Sequence, residues 1–349
     1  MSNIPVYWKT RLDEVEETLK LVKKGKVTKV YDSAGGRPIY KVEYGTSNFP
    51  TPKGTANLSS AIGGQSYEAY ADKTGVDYIP TVFLVGCIHG GEFEGTAAIL
   101  NLIKLIETGT DYAGNRNDDI VSLAERSHLI LIPMVNPDGR SHIPFDSYVG
   151  RTFQDLRYYN QGAWKDGSLC GWPDCKKIHP IKDYVSYLGG YFNDDGVNMM
   201  HEDYFSANVS SGSRLVLDVC RTEAPDISIL LHGGSNCTNC LFPVYYISGN
   251  ARKAIMAFQE SYKELCDKNG VRYQITPFPS CEEDHSRFKP FTLTSAMHHC
   301  CGEPAFTFES NQGLCDHGNV IYDYDEIYKA HMLLFAEMIR FALRKYGKI

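Results

Sequence analysis

The sequence predicts an α/β fold: a single domain built on one mixed, mostly parallel twisted sheet with helices on both faces. Three observations predict it. Short, nearly unbroken apolar runs recur at 78–87, 128–134, 226–231 and 304–308, as strands covered on both faces require. Segments with apolar residues at helical spacing lie between and after them. No repeat, low-complexity tract or Pro/Ser-rich linker divides the 349 residues, and 43% of them are hydrophobic, enough for one sizeable core.

The elements follow in order. Residues 8–24 carry Leu12, Val15, Leu19 and Val22 at helical spacing and read as an amphipathic surface helix. Residues 37–45 alternate like a half-buried strand. The run 78–87 is a buried strand, followed by a helix over about 95–107 with Ala98, Leu102 and Leu105 on one stripe. Residues 128–134 form the next buried strand. The stretch from about 140 to 195, rich in Tyr, Gly and Cys, has weak periodicity and reads as an elaborate loop region. Then come a helix at 213–220, a strand at 226–231, a helix at 250–268 and a strand at 271–275. A helix at 291–300, a strand at 304–308 and a long closing helix at 323–346 complete the chain. The division expected is an N-terminal helical extension, 1–29, and a main domain, 30–349, with elaborated stretches near 46–76 and 140–190.

Composition removes several functional classes. Net charge is −7 without a long basic run, which argues against a nucleic-acid partner. No apolar run reaches the roughly 18 residues of a membrane helix, so no membrane partner is expected. Residues 1–9 lack the apolar stretch of a signal peptide, which points to the cytoplasm. In that compartment the 11 cysteines, an odd number, are thiols or metal ligands. Cys170 and Cys175 form one local pair. Only Cys237-Thr-Asn-Cys240 has the spacing of a zinc ribbon, which needs two such pairs, so buried apolar thiols are the preferred reading.

In open α/β sheets, ligands bind at the carboxyl ends of the strands. Four apolar strands here end in polar residues: Ile88-His89-Gly90-Gly91-Glu92, Val135-Asn136-Pro137-Asp138-Gly139, His232-Gly233-Gly234 and Glu309-Ser310-Asn311. His89 and Glu92, with two glycines between them, can turn both side chains to one point. Distant His232 completes a His/Glu/His set that leaves a fourth tetrahedral position for water, a donor set suited to zinc. Glu309 is then a free carboxylate beside the metal, in the position of a general base. A competing cluster of His201, Asp203, His298 and His299, and a Glu282/His285 pair, follow no apolar strand. His298 and His299 are also adjacent on a helix and point apart.

The same residues carry a family resemblance. His89-Gly-Gly-Glu92, Asn136-Pro-Asp-Gly139, His232 after its strand and Phe306-Thr-Phe-Glu309 together resemble the zinc carboxypeptidases of the carboxypeptidase A type. Gly35-Gly-Arg-Pro-Ile-Tyr-Lys-Val-Glu-Tyr-Gly45 is similar to that family's opening strands. The resemblance implies one zinc per chain, bound by His89, Glu92 and His232, with Glu309 activating the water. It also implies an arginine downstream of Asn-Pro-Asp-Gly that polarises the scissile carbonyl. Arg151, thirteen positions after Asp138, is the best match, and Arg157 and Arg140 are the fallbacks.

The chain departs from the family at two points. The Asn-Arg pair that grips a substrate's terminal carboxylate has Met200 and His201 in its place, after Gly196-Val-Asn198. His201 is therefore the candidate anion binder, with an affinity that would fall as pH rises through its pKa. The family's mobile tyrosine has no counterpart either, since residues 279–303 contain no Tyr. The leading reading is a metallopeptidase acting at the C-terminal end of a peptide. The alternatives are a zinc amidase or deacylase acting on cell-wall peptide fragments or N-acyl amino acids, and an inactive binding protein on the same scaffold.

Overall fold

The computed structural model describes residues 3–48, 73, 75–278 and 289–349. Most of the elaborated stretch expected at 46–76, and the Glu282/His285 pair, lie outside them. Eight strands form one mixed sheet: β1 (Lys26–Asp32), β2 (Pro38–Tyr44), β3 (Thr81–Val85), β4 (His128–Ile132), β7 (Ile227–Gly233), β8 (Asn239–Phe242), β9 (Tyr273–Gln274) and β10 (Ala305–Ser310). Two short strands, β5 (Ala163–Trp164) and β6 (Val185–Tyr187), pair separately. The order across the large sheet is β1-β2-β4-β3-β7-β10-β8-β9. The four central strands β4, β3, β7 and β10 run parallel to one another, the β1–β2 hairpin joins β4 antiparallel, and β8 joins β10 antiparallel.

The central strands read as continuous apolar runs because alternate residues enter two cores. Val82, Leu84, Leu129, Leu131, Ile227 and Ile229 face the core under the helices Glu94–Thr108, Gly249–Lys268 and Tyr324–Lys345. Phe83, Val85, Ile130, Ile132 and Leu230 face the opposite core, under Ser211–Glu223 and Leu293–Cys301. Strand order reverses about β3: its successor β4 lies on one side, and β7 on the other. That switch point opens a crevice at the carboxyl ends of β3 and β7, where His89 and His232 stand.

Three local readings change. The first helix spans Leu12–Leu19 rather than 8–24, because Glu14 caps it by accepting from the backbone N–H of Thr10 and Arg11, and the chain leaves helical geometry before Gly25. Residues 26–32 form β1, so the boundary placed at 29/30 falls inside a strand of the main sheet. The N-terminal segment also packs into the body, with Tyr7 and Trp8 buried against Tyr148, Tyr322 and Leu314. The helix Asp118–Glu125 and the strand β8 were not legible in the periodicity. The 140–195 region is mostly loop, but it has a small core of its own, Cys170, Cys175, Ile181 and Phe192. No helix among the described residues is long and apolar enough to cross a membrane.

Candidate metal centre and substrate cleft

Strand β3 ends in a forced turn. Cys87 has φ 59°, and the loop that follows is pressed against the Asn136–Gly139 loop. A Cβ on Gly90 would lie 1.9 Å from the Gly139 carbonyl carbon, so only glycine fits there. Asn136 binds the two loops together: its Nδ2 donates to the Ile88 carbonyl at 3.1 Å, and its Oδ1 accepts from Gly139 N–H at 3.0 Å. Asp138, fully buried, accepts from Ser33 Oγ, Gly35 N and Arg37 Nη1. The Asn-Pro-Asp-Gly motif thus does structural work, tying the first hairpin to the loop that carries His89.

Held this way, His89 and Glu92 turn toward the end of β7. His89 Nδ1 lies 2.8 Å from Glu92 Oε1, and His232 Nδ1 lies 2.8 Å from Glu92 Oε2. The two rings stand nearly perpendicular, with centroids 4.8 Å apart. All three residues are buried, and their ligand atoms fall within 4.8 Å of one another. Glu92 Oε2 accepts no well-directed hydrogen bond despite its short contact with His232. Glu92 Oε1 does meet His89 Nδ1 in a hydrogen bond, so the unpartnered Oε2 is what the carboxylate holds free for a cation, and two imidazoles and a carboxylate are a donor set that fits zinc. Burial would raise the Glu92 pKa, but His89 and His232 outweigh it and hold the carboxyl down to about 2. Behind the centre, His89 Nε2 donates to Asn198 Oδ1 at 3.2 Å, the kind of outer contact that fixes a ligating ring and its tautomer.

Strand register supplies the fourth residue. In the parallel β7–β10 pair, Glu309 is the partner of His232. Gly234 keeps the space beside it clear, since a Cβ there would lie 2.8 Å from Glu309 Oε2. Burial, opposed by His232 and reinforced by Glu92, pushes the Glu309 pKa up to about 8. The cleft over these residues has a volume of about 460 Å³. Trp172, Lys176, Tyr191 and His201 line one part of it, and Cys237, Cys240 and Gln312 another.

Residues 16–246 match the zinc carboxypeptidase family, Peptidase_M14, well over half of the chain. The chain belongs to this family. It is a metallopeptidase of a family that uses zinc. The match includes His89, Glu92 and His232, and Glu309 lies beyond it. No curated protein matches the chain. Solved structures with the same fold include a metallo-carboxypeptidase from Burkholderia cenocepacia, at 14% identity, TM-score 0.60, covering 96% of this chain and 70% of that one. Another is the metallo-carboxypeptidase from Pseudomonas aeruginosa in complex with (2-guanidinoethylmercapto)succinic acid, at 13% identity, TM-score 0.56, covering 95% and 67%. Carboxypeptidase A from Helicoverpa armigera gives 14% identity and TM-score 0.51, covering 98% and 76%.

In this member of the family the three candidate arginines turn elsewhere. Arg140 is buried, donating to the carbonyls of Thr10 and Ile143 and pairing with Asp146. Arg151 donates to the Ser147 carbonyl, and its guanidinium lies 3.5 Å from the centroid of the Phe145 ring. Arg157 packs on Gly171, where a Cβ would meet its Nη2 at 2.7 Å. None of the three lines the cleft, and each is engaged with other parts of the chain. His201 does line it, but burial, with Lys176 and the neighbouring histidines, drives its pKa down to about 3. That low value argues against a histidine that gains its charge near pH 6.5, the behaviour expected of it from the sequence.

The competing histidine cluster does not form among the described residues. His298 is bound at both ends, Nδ1 to the Glu303 carbonyl and Nε2 to Ser248 N–H, and His299 Nε2 donates to the Tyr246 carbonyl. Cys237 and Cys240 are free thiols lining the cleft and do not belong to the His/Glu/His group. Sequence reasoning missed Asn198, Tyr191, Trp172 and Lys176. Tyr191 stacks on His89 with centroids 4.0 Å apart. Of these four, only Asn198 carried a usable signal, in its place within Gly196-Val-Asn198.

Proposed function

We propose that the chain removes a residue from the C-terminal end of a peptide, with His89, Glu92 and His232 holding one zinc ion and Glu309 acting as general base. The observation that carries this reading is the convergence of His89 Nδ1, His232 Nδ1 and both Glu92 oxygens, with Glu309 beside His232 in the strand register. Zinc, when bound, supplies a Lewis acid that polarises the scissile carbonyl and makes water acidic. Glu309 takes the proton from the attacking water and returns it to the departing amine as the peptide bond breaks. Asn198 keeps the His89 ring turned so that Nδ1 faces Glu92. Tyr191, stacked on that ring, closes one side of the site to bulk water.

The test is zinc stoichiometry and peptide turnover in Glu309→Gln. Loss of general-base catalysis costs about 10²–10⁴ in rate, with zinc retained. Turnover close to wild type would mean another group handles the proton. A second reading, a zinc amidase or deacylase acting on cell-wall peptide fragments or N-acyl amino acids, draws on one observation: no arginine lines the cleft among the described residues. Parallel assays on peptides, acyl amino acids and cell-wall fragments separate the two.

A further inference from the structure

A substrate with a free terminal carboxylate needs a cation near the metal, Met200 and His201 stand in place of the family's Asn-Arg pair, and Arg140, Arg151 and Arg157 are engaged elsewhere. Among the described residues, Lys176 is the sole lysine or arginine that lines the cleft. It forms no ion pair among them, whereas its neighbour Lys177 pairs with Asp174 at 2.6 Å. Its ammonium lies 4.1 Å from the centroid of the Trp172 ring, a contact that orients the cation and leaves its N–H donors open. Trp172 in turn packs 5.6 Å from His201 and 6.3 Å, edge-on, from Tyr191, which stacks on His89. An aromatic wall thus runs from the ammonium to a metal-ligand candidate.

The element that carries Lys176 is anchored. The short 3-10 turn Asp174–Lys176 starts from a Cys175 N–H bond to the Gly171 carbonyl at 2.9 Å. Cys175 itself is buried in the small core with Cys170, Ile181 and Phe192. The lysine is therefore presented on a turn with a core of its own, as a binding group requires. Burial also lowers its pKa, the mark of an ammonium partly withdrawn from water without a compensating anion.

We infer that Lys176, set on Trp172 at the wall of the metal cleft, binds the terminal carboxylate of the substrate in place of the family's arginine. The inference rests on the peptidase reading and adds the residue that selects a free C-terminus. Lys176 is a specificity-determining residue and takes no part in proton transfer.

The experiment uses one peptide as its free acid and as its C-terminal amide. Binding of each is measured calorimetrically on zinc-loaded Glu309→Gln protein, with and without Lys176→Ala, and turnover is measured on the otherwise wild-type chain. A charge-assisted hydrogen bond implies a loss of about ten- to a hundredfold in affinity for the acid in Lys176→Ala. KM should rise by a similar factor while kcat changes little, and the amide should bind equally to both proteins. Lys176→Arg should restore most of the loss, which a merely structural role would not predict. Equal affinity of parent and Lys176→Ala for the acid overturns the inference, as does an equal loss for acid and amide. A parent that binds acid and amide alike also overturns it, yet leaves the zinc peptidase reading to stand or fall on zinc content and Glu309→Gln turnover.

Discussion

At the scale of single residues, chemistry depends on which atoms are free to act. Replacing His232 with Ala removes one of the nitrogens that close on Glu92, so most of the zinc should be lost; Cys237→Ser, outside the ligand group, should keep it. Metal analysis of the two purified proteins checks this, and zinc loss in the cysteine variant instead would move the metal to a thiolate site. His201 gives a second test. Its pKa lies far below the ordinary value of about 6.5, so the imidazole is neutral on both sides of that pH. Affinity for a free-acid peptide should therefore show no step between about pH 6 and 7 that His201→Gln abolishes. A step that disappears in His201→Gln would restore the charged-histidine reading.

At the scale of elements, the metal centre depends on two loops that touch backbone to backbone. Gly90→Ala places a Cβ 1.9 Å from the Gly139 carbonyl carbon and 2.1 Å from Arg140 N, and neither backbone atom can swing away. Overpacking of this kind costs about 1–3 kcal/mol, and here the strain falls on the loop that aims His89 and Glu92. Denaturant titration should report the stability loss, and zinc affinity should weaken with it. Unchanged zinc affinity would show that the two loops move independently. The elements were legible in proportion to how completely they are buried. β3, β4, β7 and β10 appear as apolar runs because both faces are covered; β7 and β10 carry His232 and Glu309 near their carboxyl ends, and β3 and β4 lead within four residues to His89 and Asn136. β8 was not legible: of its four residues only Asn239 and Leu241 are buried, too short a pattern for periodicity to register.

At the scale of the whole molecule, the opposite end of the sheet is held by a buried charge cluster. Asp226 accepts from Lys73 and Lys345, from the Tyr78 and Tyr346 hydroxyls and from Thr81 N–H. The two lysines also reach Glu303, so the cluster fastens the end of the closing helix to the sheet. Burial works against the Asp226 charge, but Lys73 and Lys345 outweigh it and hold the pKa below the usual carboxylate range. A depressed carboxyl stabilises the fold above its unfolded pKa of about 3.9, and that contribution is lost as pH falls through the folded value. Asp226→Asn should therefore cost about 3–5 kcal/mol at pH 7, as breaking a buried pair does, with the gap to wild type narrowing below about pH 4. Urea midpoints at pH 7 and pH 3 check it, and a gap independent of pH would assign the loss to packing instead.

The sequence by itself determined the α/β architecture, the placement of His89, Glu92 and His232 at strand ends, and Glu309 on the last parallel strand. Each of these follows from local pattern: burial on two faces writes an apolar run, and the residue after the run must stand at the sheet's edge. The tertiary structure decided what surrounds that edge. Counting thirteen positions from Asp138 reaches Arg151, but the loop between them folds back, so the guanidinium stacks on Phe145 and not over the metal centre. Lys176 and Trp172 enter the cleft through packing of the 170–192 segment on Cys175, Ile181 and Phe192. Irregular loops have no period, and the position of a side chain on them is set by long-range contacts that no local spacing records.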